Sequence, residues 1–197
     1  MPRTVDPARH EARRLVIVDA ALTCFAAQGY ARTTTAAICR QAGIGSGTFF
    51  HYFPAKLDVL LAILELGTDE TVAWFEAQRG RTDAGRVVAD FVDHTADNLA
   101  DPRLPGFVRA VGAVMGTPSV AVALRRDGDA QHDGLFPWLA AGCAAGEVRD
   151  DIAVDRLCTW VLAIVDGFIG RAAGERPFDP AAERDMLVDT VARLLRP

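Results

Sequence analysis

Residues 33–56 constrain the fold of this chain more than any other stretch, because they predict two short helices joined by a tight turn. Thr34 is suited to cap the first helix, since its hydroxyl can accept a backbone N–H bond at the open end. Ile38 and Ala42 then fall on one apolar face, and Gly43 stands where a left-handed residue ends many helices. The stretch is therefore expected to begin with a short, capped helix that stops at a glycine.

The second helix of this stretch has two unlike faces. Phe49 and Phe53 share one face by their spacing, whereas Ser46, Thr48 and Tyr52 fall nearer another. A short helix with an apolar back and a small, hydrogen-bonding front is typical of the recognition helix of a helix-turn-helix, which enters the major groove of DNA. The two helices together therefore predict a DNA-binding unit.

The charge of the chain is unevenly distributed. A net charge of −5 over 197 residues argues, taken whole, against a nucleic-acid-binding protein. Residues 1–60, however, carry seven basic and four acidic residues, while the rest carries 14 basic and 22 acidic. A basic head on an acidic body is expected when only the head meets phosphates. The four arginines in residues 3–14 are consistent either with a solvated terminus or with an arm that reaches phosphates or a minor groove.

The chain shows no sign of a membrane, secretory or metal-binding protein. No apolar run reaches the roughly 18 residues of a membrane span, and the first residues lack the apolar region of a secretory signal. We therefore expect a cytoplasmic protein with no membrane contact. Cys24, Cys39, Cys143 and Cys158 match no zinc or Cys-x-x-Cys spacing, so we interpret them as small core residues and expect neither metal nor cofactor.

The rest of the chain repeats apolar residues at helical spacing and has no alternating strand pattern of useful length. We expect an all-α protein of about nine helices, with a DNA-binding domain over residues 1–56 and a second helical domain over residues 57–197. Long helices are expected over residues 7–28, 55–78, 83–100, 155–173 and 180–195, and a short one over 107–115. Gly128, Gly134 and Pro137 predict a kinked helix or two pieces before Gly146.

The motifs of the first 61 residues occur at spacings that name a family. They are Phe25-x-x-x-Gly29-Tyr30, Thr34-Thr35-x-x-Ile38, Ala42-Gly43-Ile44, Gly47-Thr48-Phe49, Tyr52-Phe53, Lys56 and Leu60. Residues 17–61 thereby resemble the DNA-binding domain of TetR-type transcriptional repressors. The resemblance implies a homodimer whose recognition helices read a palindromic double-stranded operator, and whose last two helices form a four-helix interface. It also implies that the middle helices enclose a small-molecule effector that weakens DNA binding.

The resemblance implies DNA contacts at Thr34, Thr35, Ser46, Gly47, Thr48, His51, Tyr52 and Lys56. The threonines at the start of the first motif helix would hold a phosphate, and the start of the recognition helix would lie nearest to base edges. Lys56 would bind a phosphate at the start of the long helix. Phe50 departs from the family's usual Tyr, so a hydroxyl-to-phosphate bond is missing, and we expect its ring to belong to the core. Ala55 also replaces a capping residue.

Two further sets of residues are predicted in the second domain. Candidates for the effector pocket are Trp74, Phe91, His94, Phe107, Met115 and Trp138, for each of which ordinary core packing is the alternative. His94 is preferred as the polar pocket residue, because a buried imidazole needs a partner. Candidates for the subunit interface are Trp160, Ile164, Phe168, Leu187, Val191 and Leu194.

Other classes of function fit less well. The GIGSG segment over residues 43–47 follows a helix and lacks the lysine of a phosphate loop, and no HExxH, GxSxG or CxxC motif occurs, so we do not expect an enzyme. An architectural DNA-binding protein would not need so large an apolar second domain. We predict a repressor released from its operator by a small, largely apolar ligand. A ligand-independent or ligand-activated regulator is the alternative.

Overall fold

The computed structural model describes residues 7–174 and 177–197, and every regular element in them is helical. The nine helices of this described part are α1 Pro7–Arg32, α2 Thr35–Ala42, α3 Ser46–Tyr52, α4 Lys56–Ala77, α5 Ala84–Asn98, α6 Leu104–Gly112, α7 Pro118–Ala145, α8 Val154–Ala172 and α9 Pro180–Leu195. This confirms the predicted all-α fold. Among the described residues, no helix combines the length and the apolar character that a membrane crossing requires.

Local signals set the limits of the first two helices. Gly29 has a φ of 76°, so regular helix stops there, and one more turn carries the chain to Arg32. The hydroxyl of Thr34 accepts the backbone N–H of Ala37 at 3.1 Å and caps α2. Gly43 takes the left-handed conformation, with a φ of 63°, and ends α2. The predicted cap and both glycine stops are therefore confirmed.

The start of α4 is stabilised by a residue one turn into the helix. Ala55 has no side chain with which to cap it, but the carboxylate of Asp58 accepts the Ala55 backbone N–H at 2.7 Å. An acidic residue in the first turn is also favoured by the positive end of the helix dipole. Asp58 thus partly offsets the loss of helix stability caused by the missing side-chain cap at Ala55.

Two hydrophobic cores share one long helix. The first core joins α1, α2, α3 and α6, with Phe25, Phe49 and Leu60 fully buried in it. The second core joins α5, α7, α8 and α9, and Phe75 enters it from the far end of α4. Because α4 supplies Leu60 to one core and Phe75 to the other, the division expected at residue 57 falls within the first turn of a shared helix.

Helix α7 runs unbroken from Pro118 to Ala145, so of the two predicted alternatives, a kinked helix or two pieces, the second is wrong. Gly134 serves packing here: a Cβ on it would lie 2.1 Å from the ring of Phe75, so only glycine lets that ring reach the helix backbone. Pro137 lies on the exposed side, where the loss of one backbone hydrogen bond is tolerated. Gly134 and Pro137 therefore lie within α7 and do not end it.

Helix α6 connects the two cores. Gly106 lies against the backbone of α1, where a Cβ would come within 2.3 Å of the Ala26 carbonyl oxygen. The guanidinium of Arg103, which precedes α6, donates to Asp19 on α1 at 2.7 Å. Farther along, the guanidinium of Arg109 donates to the carbonyl of Ala173 after α8, at 3.1 Å. The helix thus contacts α1 at one end and the end of α8 at the other.

Candidate nucleic-acid interface

The second motif helix, α3, presents a polar front and buries its back. Phe49 and Phe53 are 0% and 4% exposed and belong to the first core. Ser46, Gly47 and Thr48 are exposed at the start of the helix. Because the apolar face of α3 is buried in the core, its small, polar face is directed toward solvent, as the spacing predicts. The structure therefore brings the predicted base-edge residues together on one accessible surface.

Phe50 corrects one sequence expectation, because its ring is 53% exposed and lies outside the core. It follows Phe49 by one residue, which turns it about 100° around the helix from the buried face. The two rings meet edge to face with centroids 5.3 Å apart. Phe50 therefore adds an apolar group to the solvent side of α3.

The first turn of α1 contributes an aromatic contact that the sequence did not reveal. His10 packs on Tyr52 with ring centroids 4.5 Å apart, and its ring lies 6.1 Å from that of His51. His51 is exposed and Tyr52 is half-buried. Contact with His10 fixes the side of α3 on which the Tyr52 ring lies. No local sequence pattern reveals this contact, because His10 lies more than 40 positions before His51 and Tyr52 in the chain.

Basic side chains surround this surface. Arg9 and Arg13 are exposed on the first turns of α1, so the described part of the predicted arm is helical; Arg3 lies outside the described residues. Arg40 is exposed at the end of α2. Arg14 is turned inward over the ring of Phe53, at 5.7 Å. The exposed arginines give this end of the molecule its positive charge.

The residues around the start of α2 divide into surface and core. Thr34 is exposed, and its oxygen already accepts the N–H bond that caps α2, while Thr35 is half-buried. Thr33 is 1% exposed, and its hydroxyl lies 2.8 Å from the carbonyl oxygen of Gly29 and 3.1 Å from that of Cys24. Sequence reasoning assigned Thr33 no role, and the structure shows that it holds the start of α2 against α1.

Lys56 occupies a different position from the exposed one expected of a phosphate ligand. Its ammonium donates to the carbonyl oxygens of Tyr30 at 2.6 Å and Thr33 at 2.7 Å. The same Nζ lies 4.2 Å from the centroid of the Tyr30 ring. Carbonyls at the C-terminal end of a helix have no partner within it and attract a cation. The phosphate contact of Lys56 stays a prediction, for an ammonium that already has two protein acceptors.

The predicted pocket residues Trp74, Phe91 and His94 pack against one another. The His94 ring stacks on Trp74 with centroids 5.5 Å apart and lies 3.4 Å from the amide nitrogen of Asn98 through its Nε2. Trp74 meets Phe91 at 5.6 Å, and Phe91 stacks on Phe75. His94 thus has protein partners within its own cluster.

The remaining pocket candidates are separated in the fold. Phe107 is buried in the first core, and Trp138 is half-buried against the second. Met115 lies in the turn after α6 and is 57% exposed. The prediction that Met115 lines an enclosed pocket is therefore wrong: the helix expected to reach it stops at Gly112, which leaves its side chain in solvent.

The predicted interface residues also divide between core and surface. Phe168, Leu187 and Val191 are buried in the subunit's own second core, so little of their surface is left for a second subunit, and their assignment to the interface stays a prediction. Ile164 and Leu194 are half-buried, and Trp160 is exposed. Helical spacing identified the apolar stripes of α8 and α9 but did not distinguish the side that faces α5 and α7.

An apolar outer face remains on α8 and α9. Trp160 is 54% exposed on α8, and Met186 is 62% exposed on α9. A groove of about 370 Å³ runs between the two helices, lined by Ile164, Gly167, Met186 and Thr190 among others. The Cβ position of Gly167 opens into free space, which lets another helix approach the backbone closely. Together these features form an apolar surface that the subunit itself leaves uncovered.

Comparison with known proteins matches both the head and the whole chain. Residues 17–63 match the family described as "Bacterial regulatory proteins, tetR family". A curated HTH-type transcriptional repressor from Mycobacterium tuberculosis is 29% identical over 190 residues, which covers 92% of this chain and 94% of that protein.

Two solved structures share the fold at lower identity. A TetR transcription regulator from Haloarcula marismortui superposes with a TM-score of 0.82 at 18% identity, covering 94% of this chain and 97% of that one. The transcriptional regulator FadR from Bacillus subtilis, solved in complex with stearoyl-CoA, gives a TM-score of 0.74 at 17% identity, covering 92% of this chain and 99% of that one.

Proposed function

This chain belongs to the TetR family of transcriptional regulators, and on that premise we propose that it is a homodimeric cytoplasmic repressor released from a palindromic operator by a small, largely apolar ligand. The observation that carries the proposal is the polar, exposed front of α3 above the buried rings of Phe49 and Phe53. A rigid helix with small side chains at its start is the shape that enters a major groove.

The proposed DNA contacts follow from exposure and chemistry. Ser46, Gly47 and Thr48 face base edges, with Gly47 allowing close approach and the Thr48 methyl or hydroxyl meeting a thymine or a phosphate. Thr34 and Thr35 lie beside the N–H groups at the start of α2, which favour a phosphate. His51 and Tyr52 complete the same surface. The arginines around this head supply attraction that does not depend on sequence.

The proposed subunit interface is the outer face of α8 and α9. Exposed Trp160 and Met186 are supported by half-buried Ile164 and Leu194 on the same pair of helices. Large apolar groups concentrated on one surface are typical of an interface between subunits. A two-fold axis through this face gives the pair of recognition helices that a palindrome requires.

The proposed ligand acts through the helices that join the two cores. FadR from Bacillus subtilis was solved with stearoyl-CoA, which supports an apolar effector for a chain with the same fold. Helices α4 and α6 both touch the DNA-binding head and the second core. A ligand that binds better to a conformer with wrongly spaced recognition helices weakens DNA binding by that difference in affinity.

The test is a gel-shift titration with duplexes from the region upstream of the protein's own gene. We expect a discrete complex that weakens as salt is raised. Thr48→Val should change which sequences are preferred while random DNA is bound as before, whereas Thr71→Val makes the same change on α4 and should leave preference unaltered. A wild-type protein without sequence preference would refute the proposed function.

The ligand proposal is tested separately by adding acyl-CoA thioesters of increasing chain length. A thioester that raises the melting temperature of the protein and dissociates it from DNA supports release by an apolar ligand. A thioester that tightens the complex supports the ligand-activated alternative instead.

A further inference from the structure

The ammonium of Lys56 joins the two ends of the helix-turn-helix. Thr33 is the residue before the α2 cap, and Lys56 is the first residue of α4, so the bond of 2.7 Å between them encloses residues 34–55. Every residue of α2 and α3 lies between these two positions. The Lys56 side chain therefore links the entrance and the exit of the DNA-reading unit, in addition to the packing of α3 and α4 in the first core.

The acceptors of this bond are themselves held in place. Thr33 is buried, and its hydroxyl donates toward the Gly29 and Cys24 carbonyls of α1. Tyr30 supplies the second carbonyl acceptor for Lys56, and its ring packs on Phe25 with centroids 5.5 Å apart. A displacement of the start of α4 therefore strains two charge-assisted hydrogen bonds to the last turn of α1 and the residue that follows it.

The environment of the amine agrees with this arrangement. Two of its three N–H bonds are directed at the carbonyl pair of Tyr30 and Thr33, and the Tyr30 ring covers the ammonium at 4.2 Å. Burial lowers the pKa of Lys56 from its ordinary value. A phosphate would have to compete with acceptors that are already within 2.7 Å.

We propose that Lys56 is a positioning residue, which fixes α3 by pinning the start of α4 to the carbonyl pair of Tyr30 and Thr33, and that it does not neutralise a DNA phosphate. The inference rests on the proposed function, because it describes how that same DNA-reading surface is held. It assigns Lys56 a role different from the phosphate contact that the sequence resemblance implies.

The experiment compares the salt dependence of DNA binding in Lys56→Met and Arg13→Met. The probe is a duplex that the wild-type protein selects from a random pool. Lys56→Met should bind about tenfold more weakly than wild type, because two half-buried carbonyls lose their donor. The slope of log affinity against log salt should stay at the wild-type value, since no phosphate contact is removed. Arg13→Met is the control for loss of one exposed positive charge near DNA.

Amide hydrogen exchange supplies a second readout. Exchange in α2 and α3 should be faster in Lys56→Met than in wild type, and Lys56→Arg, which keeps the charge but not the shape of an ammonium, should not restore it. Val165→Ala, a cavity in the second core, lowers global stability but should change neither exchange in α3 nor DNA affinity. If Lys56→Met does not fold, Lys56→Gln replaces it, since its amide can still donate to one carbonyl.

Three outcomes overturn the inference. One is a slope about 0.9 smaller in Lys56→Met, which is the mark of a lost phosphate contact. Another is full recovery of affinity in Lys56→Arg, and the third is unchanged exchange in α3. A wild-type protein that selects no sequence refutes the proposed function alone, and the exchange measurement then decides the role of Lys56.

Discussion

Substitution of Gly106 by alanine tests whether α6 and α1 pack as closely as the structure shows. The added Cβ would lie 2.3 Å from the Ala26 carbonyl oxygen, 2.9 Å from its carbon and 3.0 Å from its Cα. Ordinary contacts between carbon and oxygen are about 3.3–3.6 Å, so the helices must separate by about 1 Å. All three neighbours are backbone atoms, and no change of rotamer can relieve the clash.

The expected loss follows from two opposing effects. Overpacking costs up to about 3 kcal/mol, and replacing glycine by alanine inside a helix returns up to about 1 kcal/mol. The net loss of about 2 kcal/mol corresponds to a fall of about 4–8 °C in the melting temperature of a chain of this size. The measurement is differential scanning calorimetry at one fixed protein concentration, because association alters the midpoint.

Gly112→Ala is the matched control for this prediction. It lies on the same helix, and its Cβ would meet no atom within 4 Å. Only the helix-propensity gain applies, so the melting temperature should stay level or rise. If Gly106→Ala melts at or above the wild-type temperature, the close approach of α6 to α1 is refuted.

Three further predictions concern the surfaces of α3, α8 and α5. Phe50→Ala should weaken binding to the selected duplex about tenfold in a fluorescence titration, as for loss of an apolar base contact, with an unchanged melting temperature; equal affinity would remove Phe50 from the interface. Trp160→Asp should convert dimers to monomers in sedimentation velocity, while Val72→Asp, at another exposed apolar site on α4, should not. An intact Trp160→Asp dimer would contradict the proposed interface. The guanidinium of Arg184 lies 2.6 Å from Asp93 and lowers the pKa of that carboxyl, so the pair stabilises the fold at neutral pH and loses its effect as the pH falls through the lowered pKa. Urea unfolding of Asp93→Asn should show a loss of about 1 kcal/mol or less near neutral pH that vanishes in strong acid, and a loss that persists there would contradict this account.

The sequence predicted the parts of the head that depend on near neighbours. Thr34 caps a helix three residues away, and Gly43 ends the same helix, so both signals are contained in a few adjacent positions. The alternation of buried and exposed residues on α3 follows from a period of 3.6, which places Phe49 and Phe53 correctly. The polar front of the candidate site could be predicted for the same reason.

What the sequence missed depends on contacts between distant residues. The acceptors of Lys56 lie 23 and 26 residues earlier, so no local pattern reveals that the amine is engaged. Gly134 looked like a break because the ring that needs it belongs to Phe75 on another helix. The apolar stripe that contains Leu187 predicts that this residue is buried. It does not predict whether its own subunit or a second subunit buries it.

Lys56 also gives the chain a single reactive side-chain amine. It is the only lysine among the 197 residues, so every side-chain acylation by an amine-directed reagent falls on the nitrogen held between Tyr30 and Thr33. An amine reacts only after it has shed a proton and left its acceptors. The rate of that acylation therefore reports how often the Lys56 amine leaves its two carbonyl acceptors, in a protein that carries no engineered label.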